Sequence, residues 1–125
     1  MSFFVCVFLS NLLIPLAMIV AGFVMYKKPP KKINDIVGYR TSMSKKNINT
    51  WKFAHDYCGK LWVKLGLVLL IFTAILQISL VGFNEDIIGI VAIVIDTIQF
   101  ICLIASIVIV EKALKDVFDE NGNRR

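Results

Sequence analysis

The stretch IIGIVAIVIDTIQFICLIASIVIV, residues 87–110, decides the fold of this chain. It is apolar over nearly all of its 24 residues, and Asp96 is its single charged residue. About 20 consecutive apolar residues in a helix span the hydrocarbon core of a bilayer. The stretch therefore predicts a transmembrane helix that carries a carboxylate near its middle.

Two other runs have the same character. Residues 3–26 and residues 65–83 contain no charged side chain, and 58% of the 125 residues are apolar. Only helices or closed barrels satisfy the backbone inside a bilayer, and these runs lack the alternation that barrel strands show. We therefore predict an all-α integral membrane protein of one domain, residues 1–125. Its transmembrane helices are expected at about 3–26, 65–83 and 87–110.

The distribution of charge predicts the orientation in the membrane. Ten Lys or Arg and two Asp fall within residues 27–64, whereas residues 84–86 carry two acids and no base. Because basic loops stay in the cytoplasm, the loop 27–64 and the C-terminus are expected inside and the N-terminus outside. The formal charge of +5 follows from this topology, so anionic lipid head groups are the expected partners and nucleic acid is not.

The sequence shows no pattern of a catalytic or metal site. Cys6, Cys58 and Cys102 are scattered and odd in number, which fits neither a disulfide framework nor a zinc site. The chain also lacks a phosphate loop, paired carboxylates or a nucleophile beside a base. We expect no enzymatic activity, no cofactor and no metal.

The loop before the second run is expected to contain a helix. Larger side chains recur at helical spacing over residues 48–62, which is typical of an amphipathic helix at a membrane surface. These side chains are Ile48, Trp51, His55, Cys58 and Trp62. The cytoplasmic helix is expected to begin near Lys45 and to lead directly into the second transmembrane helix. Its candidate N-terminal caps are Thr41, Ser42 and Ser44.

Asp96 belongs to a polar face, and a carboxylate at the centre of a membrane helix costs roughly 2.5–3.5 kcal/mol. The face comprises Ala92, Asp96, Gln99, Leu103 and Ser106, and it is expected to point toward protein. At a rise of 1.5 Å per residue, polar side chains of all three runs reach a similar depth. They predict an intramembrane polar layer of Asn11, Gln77, Asp96 and Gln99.

Two interpretations of this layer stay open. Its side chains could serve as interhelical hydrogen bonds that orient the helices. They could instead line a pocket for a cation, a proton or part of a peptide.

A second candidate site lies in the cytoplasmic loop. Arg40 lies just before the predicted helix start, close to Lys45, and a helix N-terminus with basic neighbours binds anions such as a lipid phosphate. The alternative is a charged loop shaped by topology alone, with Trp51 and Trp62 as interface anchors. His55 also has two interpretations: it could be a proton carrier or a packing residue.

The same loop carries a motif. Residues 33–41 read INDIVGYRT, and Ser44, Asn47, Trp51, Ala54-His55 and Gly59 follow. This pattern resembles the signature of the SdpI family, bacterial membrane proteins named after an immunity protein against the sporulation-delay toxin. We call residues 33–47 the signature loop. The resemblance picks out as site residues Asn34, Gly38, Tyr39, Arg40, Thr41, Asn47, Trp51 and Gly59.

The resemblance also implies a function. It suggests a single SdpI-like domain in the bacterial plasma membrane that protects the cell from a secreted antimicrobial peptide toxin. It further implies a cytoplasmic regulator as a partner. Two other functions fit the residues: a homo-oligomeric transporter or ion-pathway subunit built around Asp96, and a protein that binds anionic lipid through Arg40 and the lysines.

Overall fold

The structure is a computed structural model that describes residues 2–36 and 38–125; Val37 of the motif lies outside the described residues. The helices in the described part are α1 (Ser2–Lys27), α2 (Ile48–Ile78) and α3 (Glu85–Val117). Each of them is long and apolar enough to cross a membrane, and an isolated bridge between Phe118 and Arg124 is the extent of β structure there. The prediction of an all-α fold with three helices of transmembrane length is confirmed.

The outer surface of the bundle is apolar. Leu13, Ile75 and Ile93, one from each helix, are each about two-thirds exposed (66%, 66% and 67%). Soluble monomers rarely expose apolar patches that extend along whole helices. These side chains are placed to contact lipid.

The start of α2 differs from the prediction. The Asn47 side chain accepts hydrogen bonds from the backbone N–H groups of Asn49 and Thr50, and the Thr50 hydroxyl accepts one from the Asn47 N–H. This reciprocal capping box starts the helix at Ile48 rather than near Lys45. The predicted caps within residues 41–44 are therefore wrong.

The second and third helices form an antiparallel hairpin. α2 ends at Ile78 rather than at residue 83, and the link turns at Gly82, which has a φ of 90°. Asn84 caps α3 by accepting a hydrogen bond from the Ile87 N–H at 2.9 Å. α3 then continues to Val117, beyond the predicted end at residue 110.

α2 is one continuous helix of 31 residues, about 46 Å long at 1.5 Å per residue. This exceeds a hydrocarbon core of about 30 Å, so one part of it projects from the bilayer. Trp51, His55 and Cys58 of the predicted stripe are completely buried against the rest of the chain. A helix that lies on the membrane surface therefore stays a prediction.

Glycines allow α1 and α2 to approach closely. Gly22 faces Gly59 so closely that a Cβ on Gly59 would lie 2.6 Å from the Gly22 carbonyl oxygen. About two turns further along α2, Gly66 packs against Pro15 and Ile19 of α1. Small residues allow membrane helices to approach at this distance, and the contact sets the rotation of both helices.

Candidate functional site

The four residues predicted for the polar layer meet around Asn11. The Asn11 side chain is 1% exposed, and its Nδ2 donates to Asp96 Oδ1 at 2.7 Å and to the Ala92 carbonyl at 3.1 Å. Gln77 Nε2 donates to Asn11 Oδ1. Gln99 Nε2 donates to the Asn11 backbone carbonyl at 2.8 Å. One hydrogen-bonded network therefore joins all three helices.

Thr73 and two amide oxygens complete the polar layer. Gln99 Nε2 also donates to Thr73 Oγ1 at 2.9 Å, and both residues are almost fully buried. Within residues 2–36 and 38–125, no donor reaches Gln77 Oε1 or Gln99 Oε1. Buried acceptors without a donor are uncommon in native proteins. These two oxygens are therefore buried acceptors whose hydrogen-bonding capacity the described residues leave unused.

Asp96 departs from the predicted orientation. Ala92, Gln99 and Ser106 of the predicted face are buried, whereas Asp96 is exposed. The buried face of α3 includes Ile95, which is 1% exposed, because α1 and α2 cover only one side of α3. The expectation that this whole face points toward protein is wrong for Asp96. Its carboxylate is held by Asn11 and remains accessible from outside the chain.

The signature loop turns at Gly38 to reach α2. Gly38 has a φ of 102°, and a Cβ there would overlap His55 Nε2. The turn lets the Tyr39 N–H donate to His55 Nε2 at 3.0 Å, and His55 Nδ1 pairs with the Trp51 carbonyl at 2.8 Å. Since Nε2 accepts, the ring proton is assigned to Nδ1. Both nitrogens are engaged inside the protein, which favours a packing role for His55.

Tyr39 and Thr41 attach the loop to α3. The Tyr39 hydroxyl donates to Glu111 Oε2 at 2.5 Å, and the Thr41 hydroxyl donates to the same oxygen at 2.7 Å. Burial raises the pKa of Tyr39 well above its usual range, and the Glu111 carboxylate raises it further, so the phenol stays a donor. We call Tyr39, Thr41 and Glu111 the α3 clasp. In the sequence, nothing distinguishes Glu111 from the other charged residues after Val110.

The start of α2 is covered by the C-terminal segment. Asn47 Nδ2 donates to the Gly122 carbonyl at 2.7 Å, while the Asn47 oxygen caps the helix. Arg40 instead donates to the Asp35 carbonyl, and Asn34 shapes the same turn through bonds to nearby backbone. The N–H groups of Asn49 and Thr50 therefore already have a protein acceptor, and an anion site that uses Arg40 near this helix start stays a prediction.

The two tryptophans bond within the bundle. Trp51 Nε1 donates to the Pro30 carbonyl at 2.8 Å, which ties the linker after α1 to α2. Trp62 Nε1 donates to Ser106 Oγ at 2.9 Å, which ties α2 to α3. Both indole N–H groups therefore have acceptors inside the chain, and a role of the two residues as interface anchors stays a prediction.

A cavity of about 970 Å³ lies beside the signature loop. Ala21 and Val24 of α1 and Ile107 of α3 form part of its apolar wall, and Lys28 and Arg40 also line it. The cavity thus brings Arg40 beside apolar surface rather than beside a helix terminus.

The elements that make these contacts also match a known family. A model of the SdpI/YfhL protein family matches residues 31–110, which include the signature loop, all of α2 and most of α3. The chain belongs to the SdpI/YfhL family. The resemblance of the motif is thereby confirmed, and the apolar helices make this family member a membrane protein.

The curated relatives of this SdpI/YfhL-family chain include "Uncharacterized protein YfhL" of Bacillus subtilis (strain 168). It is 40% identical over 52 residues, which are 42% of this chain and 47% of the relative. The match therefore spans about half the length of that relative. No solved structure matches the chain.

The SdpI/YfhL match covers the two candidate sites unequally. Gln77, Asp96 and Gln99 of the polar layer lie inside residues 31–110, whereas Asn11 lies outside them. The clasp hydroxyls also lie inside, and their acceptor Glu111 follows directly after the matched stretch. The α3 clasp gives Tyr39 and Thr41 a structural role that the motif alone did not supply.

The α3 clasp predicts the effect of removing one hydroxyl. Tyr39→Phe should lower the free energy of unfolding by about 1.5–3 kcal/mol, because a buried hydrogen bond to a carboxylate is lost. Thermal unfolding of the purified protein in detergent measures this change. Tyr57→Phe makes the same substitution at an exposed tyrosine and should have little effect. A Tyr39→Phe effect of undiminished size in a Glu111→Leu background would contradict the clasp.

Proposed function

We propose that this chain is a non-enzymatic immunity-type protein of the bacterial plasma membrane that binds a membrane-inserted peptide toxin at Asp96. Family membership motivates the proposal, and the exposed carboxylate of Asp96 is the observation that carries it. A carboxylate that faces hydrocarbon is unfavourable, so a donor from a second molecule would stabilise it. A peptide that brings such a donor into the membrane would be captured there.

The position of Asp96 restricts which molecules can reach it. At 1.5 Å per residue, Asp96 lies about 14 Å along α3 from Ile87 and about 21 Å from Val110. With the N-terminus and the α2–α3 link outside, as the loop charges favour, a toxin enters from the Ile87 end. Only a molecule that has entered the bilayer reaches this depth.

The polar layer holds Asp96 in an orientation that suits such a partner. Asn11 holds Asp96 Oδ1 at 2.7 Å, which orients the carboxylate at the edge of the bundle. Gln77 donates to Asn11 Oδ1 and Gln99 donates to the Asn11 carbonyl, which holds Asn11 in place. Basic or amide groups of a peptide are complementary to a carboxylate that is oriented in this way.

The signature loop would connect binding to the cytoplasm. α3 carries Asp96 near its middle and Glu111 near its end, where the α3 clasp attaches the loop. A shift of α3 on toxin binding would move the loop, and a cytoplasmic regulator could bind to the loop in one of its positions.

Expression in a sensitive bacterial host tests the function. The chain should raise the concentration of sporulation-delay toxin that stops growth. Asp96→Asn should reduce that protection by about tenfold or more, because the charge is lost while the hydrogen bond from Asn11 is retained. Asp86→Asn removes a charge at the exposed start of α3 and should preserve protection. Full protection by an Asp96→Asn variant present at the wild-type level would rule out this site.

One observation favours a second function. An exposed Asp96 could also meet polar residues of another copy of the chain and line an ion pathway in an oligomer. The oligomeric state in lipid nanodiscs distinguishes the two functions. A monomer that protects cells eliminates the ion pathway, whereas an oligomer that conducts ions and loses conductance in Asp96→Asn supports it.

A further inference from the structure

A second candidate site lies at the other end of the bundle from the α2–α3 link, in the cavity beside the signature loop. Its volume of about 970 Å³ is at the upper end of the roughly 300–1,000 Å³ that ligand sites occupy. Ala21 and Lys28 both line it, and they are separated by about 10 Å along α1. The cavity therefore extends from the polar end of α1 into its apolar part.

The charged lining of this cavity is basic. Among the described residues, the charged side chains that line it are Lys28 and Arg40. Two acids lie close to this lining. Glu111 accepts the hydroxyls of Tyr39 and Thr41, which line the cavity, and its charge offsets only one of the two positive charges. Asp35, whose carbonyl accepts from Arg40, has its carboxylate paired with Lys45 at 2.8 Å. The polar end of the cavity therefore carries net positive charge and is complementary to an anion.

The rest of the wall is apolar. Val24, Met25, Trp62 and Ile107 contribute to it. Ile107 belongs to the apolar run 87–110, so the inner end of the cavity lies at the depth of lipid hydrocarbon. An inorganic anion would leave this wall without a complementary partner. A ligand that fits both ends has an anionic group joined to a hydrocarbon chain.

We propose that the cavity binds one anionic phospholipid of the surrounding membrane. Its phosphate lies at Lys28 and Arg40, and an acyl chain lies along Ala21, Val24 and Ile107. Arginine pairs with two phosphate oxygens at once, and lysine adds a compact charge. The site is separate from Asp96, and it does not depend on toxin binding.

Quenching of tryptophan fluorescence tests the proposal, because Trp62 lines the cavity. The full chain in nonionic detergent is titrated with phosphatidylglycerol brominated on its acyl chains. Quenching should saturate, and brominated phosphatidylcholine should bind about tenfold more weakly or worse because its head group carries no net charge. Equal binding of the two lipids would overturn the proposal.

Charge variants locate the site. Lys28→Gln together with Arg40→Gln should weaken phosphatidylglycerol binding by about tenfold or more. Lys31→Gln together with Lys32→Gln removes two positive charges from exposed residues outside the lining and should change binding by less than about twofold. Equal losses in the two double variants would indicate attraction by overall charge and would overturn the proposal.

Two further measurements test the apolar part. Ala21→Leu places a larger side chain in the cavity without removing a charge, and it should also weaken lipid binding by several-fold. If the Lys28/Arg40 double variant fails to fold, this variant still tests the site. Inorganic phosphate at millimolar concentration should leave the quenching unchanged. Displacement of the lipid by inorganic phosphate, or full binding by a folded Ala21→Leu variant, would overturn the assignment of an amphiphile to this cavity.

Discussion

Replacing Gly59 with alanine is expected to destabilise the bundle more than the same substitution at Gly66, the other glycine of α2. The new Cβ would lie 2.6 Å from the Gly22 carbonyl oxygen and 2.7 Å from the Tyr26 backbone nitrogen. Both are backbone atoms, so no side-chain rotation relieves the overlap. Overpacking typically costs 1–3 kcal/mol and sometimes more, and alanine's helix propensity regains only about 1 kcal/mol. Because the overlap involves two backbone atoms, we place the cost at the upper end of this range and expect a net loss of about 2 kcal/mol.

Gly89→Ala is the matched control for this prediction. Gly89 lies inside α3, and among the described residues outside that helix the nearest atom to a Cβ there would be Phe3 Cζ at 3.7 Å, which is an ordinary contact. This variant should keep or gain stability through helix propensity. Thermal unfolding in detergent, monitored by circular dichroism, compares the two. Equal stability of Gly59→Ala and Gly89→Ala would show that α1 and α2 do not approach at Gly22 and Gly59.

Gly38→Ala is the second substitution with a large expected effect. Gly38 has a φ of 102°, where a residue with a Cβ costs of order 1–3 kcal/mol. The added Cβ would also overlap His55 Nε2. His55 must therefore move away from the Tyr39 N–H, which donates a hydrogen bond to Nε2. Loss of this buried hydrogen bond adds about 1 kcal/mol. The total should be about 3 kcal/mol, and the signature loop should detach from α2.

Gly82→Ala is the control that separates backbone strain at a positive φ from steric overlap with His55. Gly82 has a φ of 90°, close to that of Gly38, but a Cβ there would meet no atom of the described residues within 4 Å. The control therefore carries the backbone strain alone. Limited proteolysis within residues 33–47 should increase in Gly38→Ala and not in Gly82→Ala. If both variants lose the same stability and resist proteolysis equally, His55 does not hold the loop.

The sequence predicted the composition of the polar layer but not the exposure of each member. Depth along a helix follows from residue number, so Asn11, Gln77 and Gln99 could be assigned to one level. Exposure depends on how each helix is rotated about its axis, and the rotation of α3 depends on its contacts with α1 and α2, such as those of Asn11 with Ala92 and of Trp62 with Ser106. A small rotation places Ile95 in the interior and Asp96 at the edge, although the two are adjacent in the sequence.

For the signature loop, too, the sequence identified the residues but not their contacts. Its residues could be recognised from the motif, because INDIVGYRT and the residues that follow are local in the chain. Their roles could not, because their partners are far away in sequence: Glu111 for Tyr39 and Thr41, Gly122 for Asn47, Pro30 for Trp51. The same holds for the cavity, whose lining comes from all three helices and the loop.

The amino-acid sequence by itself determined that this is a membrane protein with three spanning helices, because the length of an apolar run relative to bilayer thickness is a local property. The motif determined the family, because a motif is also a local feature of the sequence. Only the tertiary structure decided that Asp96 faces outward, that Glu111 holds the signature loop, and that Arg40 lines an apolar cavity. These features depend on which side chains meet across helices, and that is set by long-range packing.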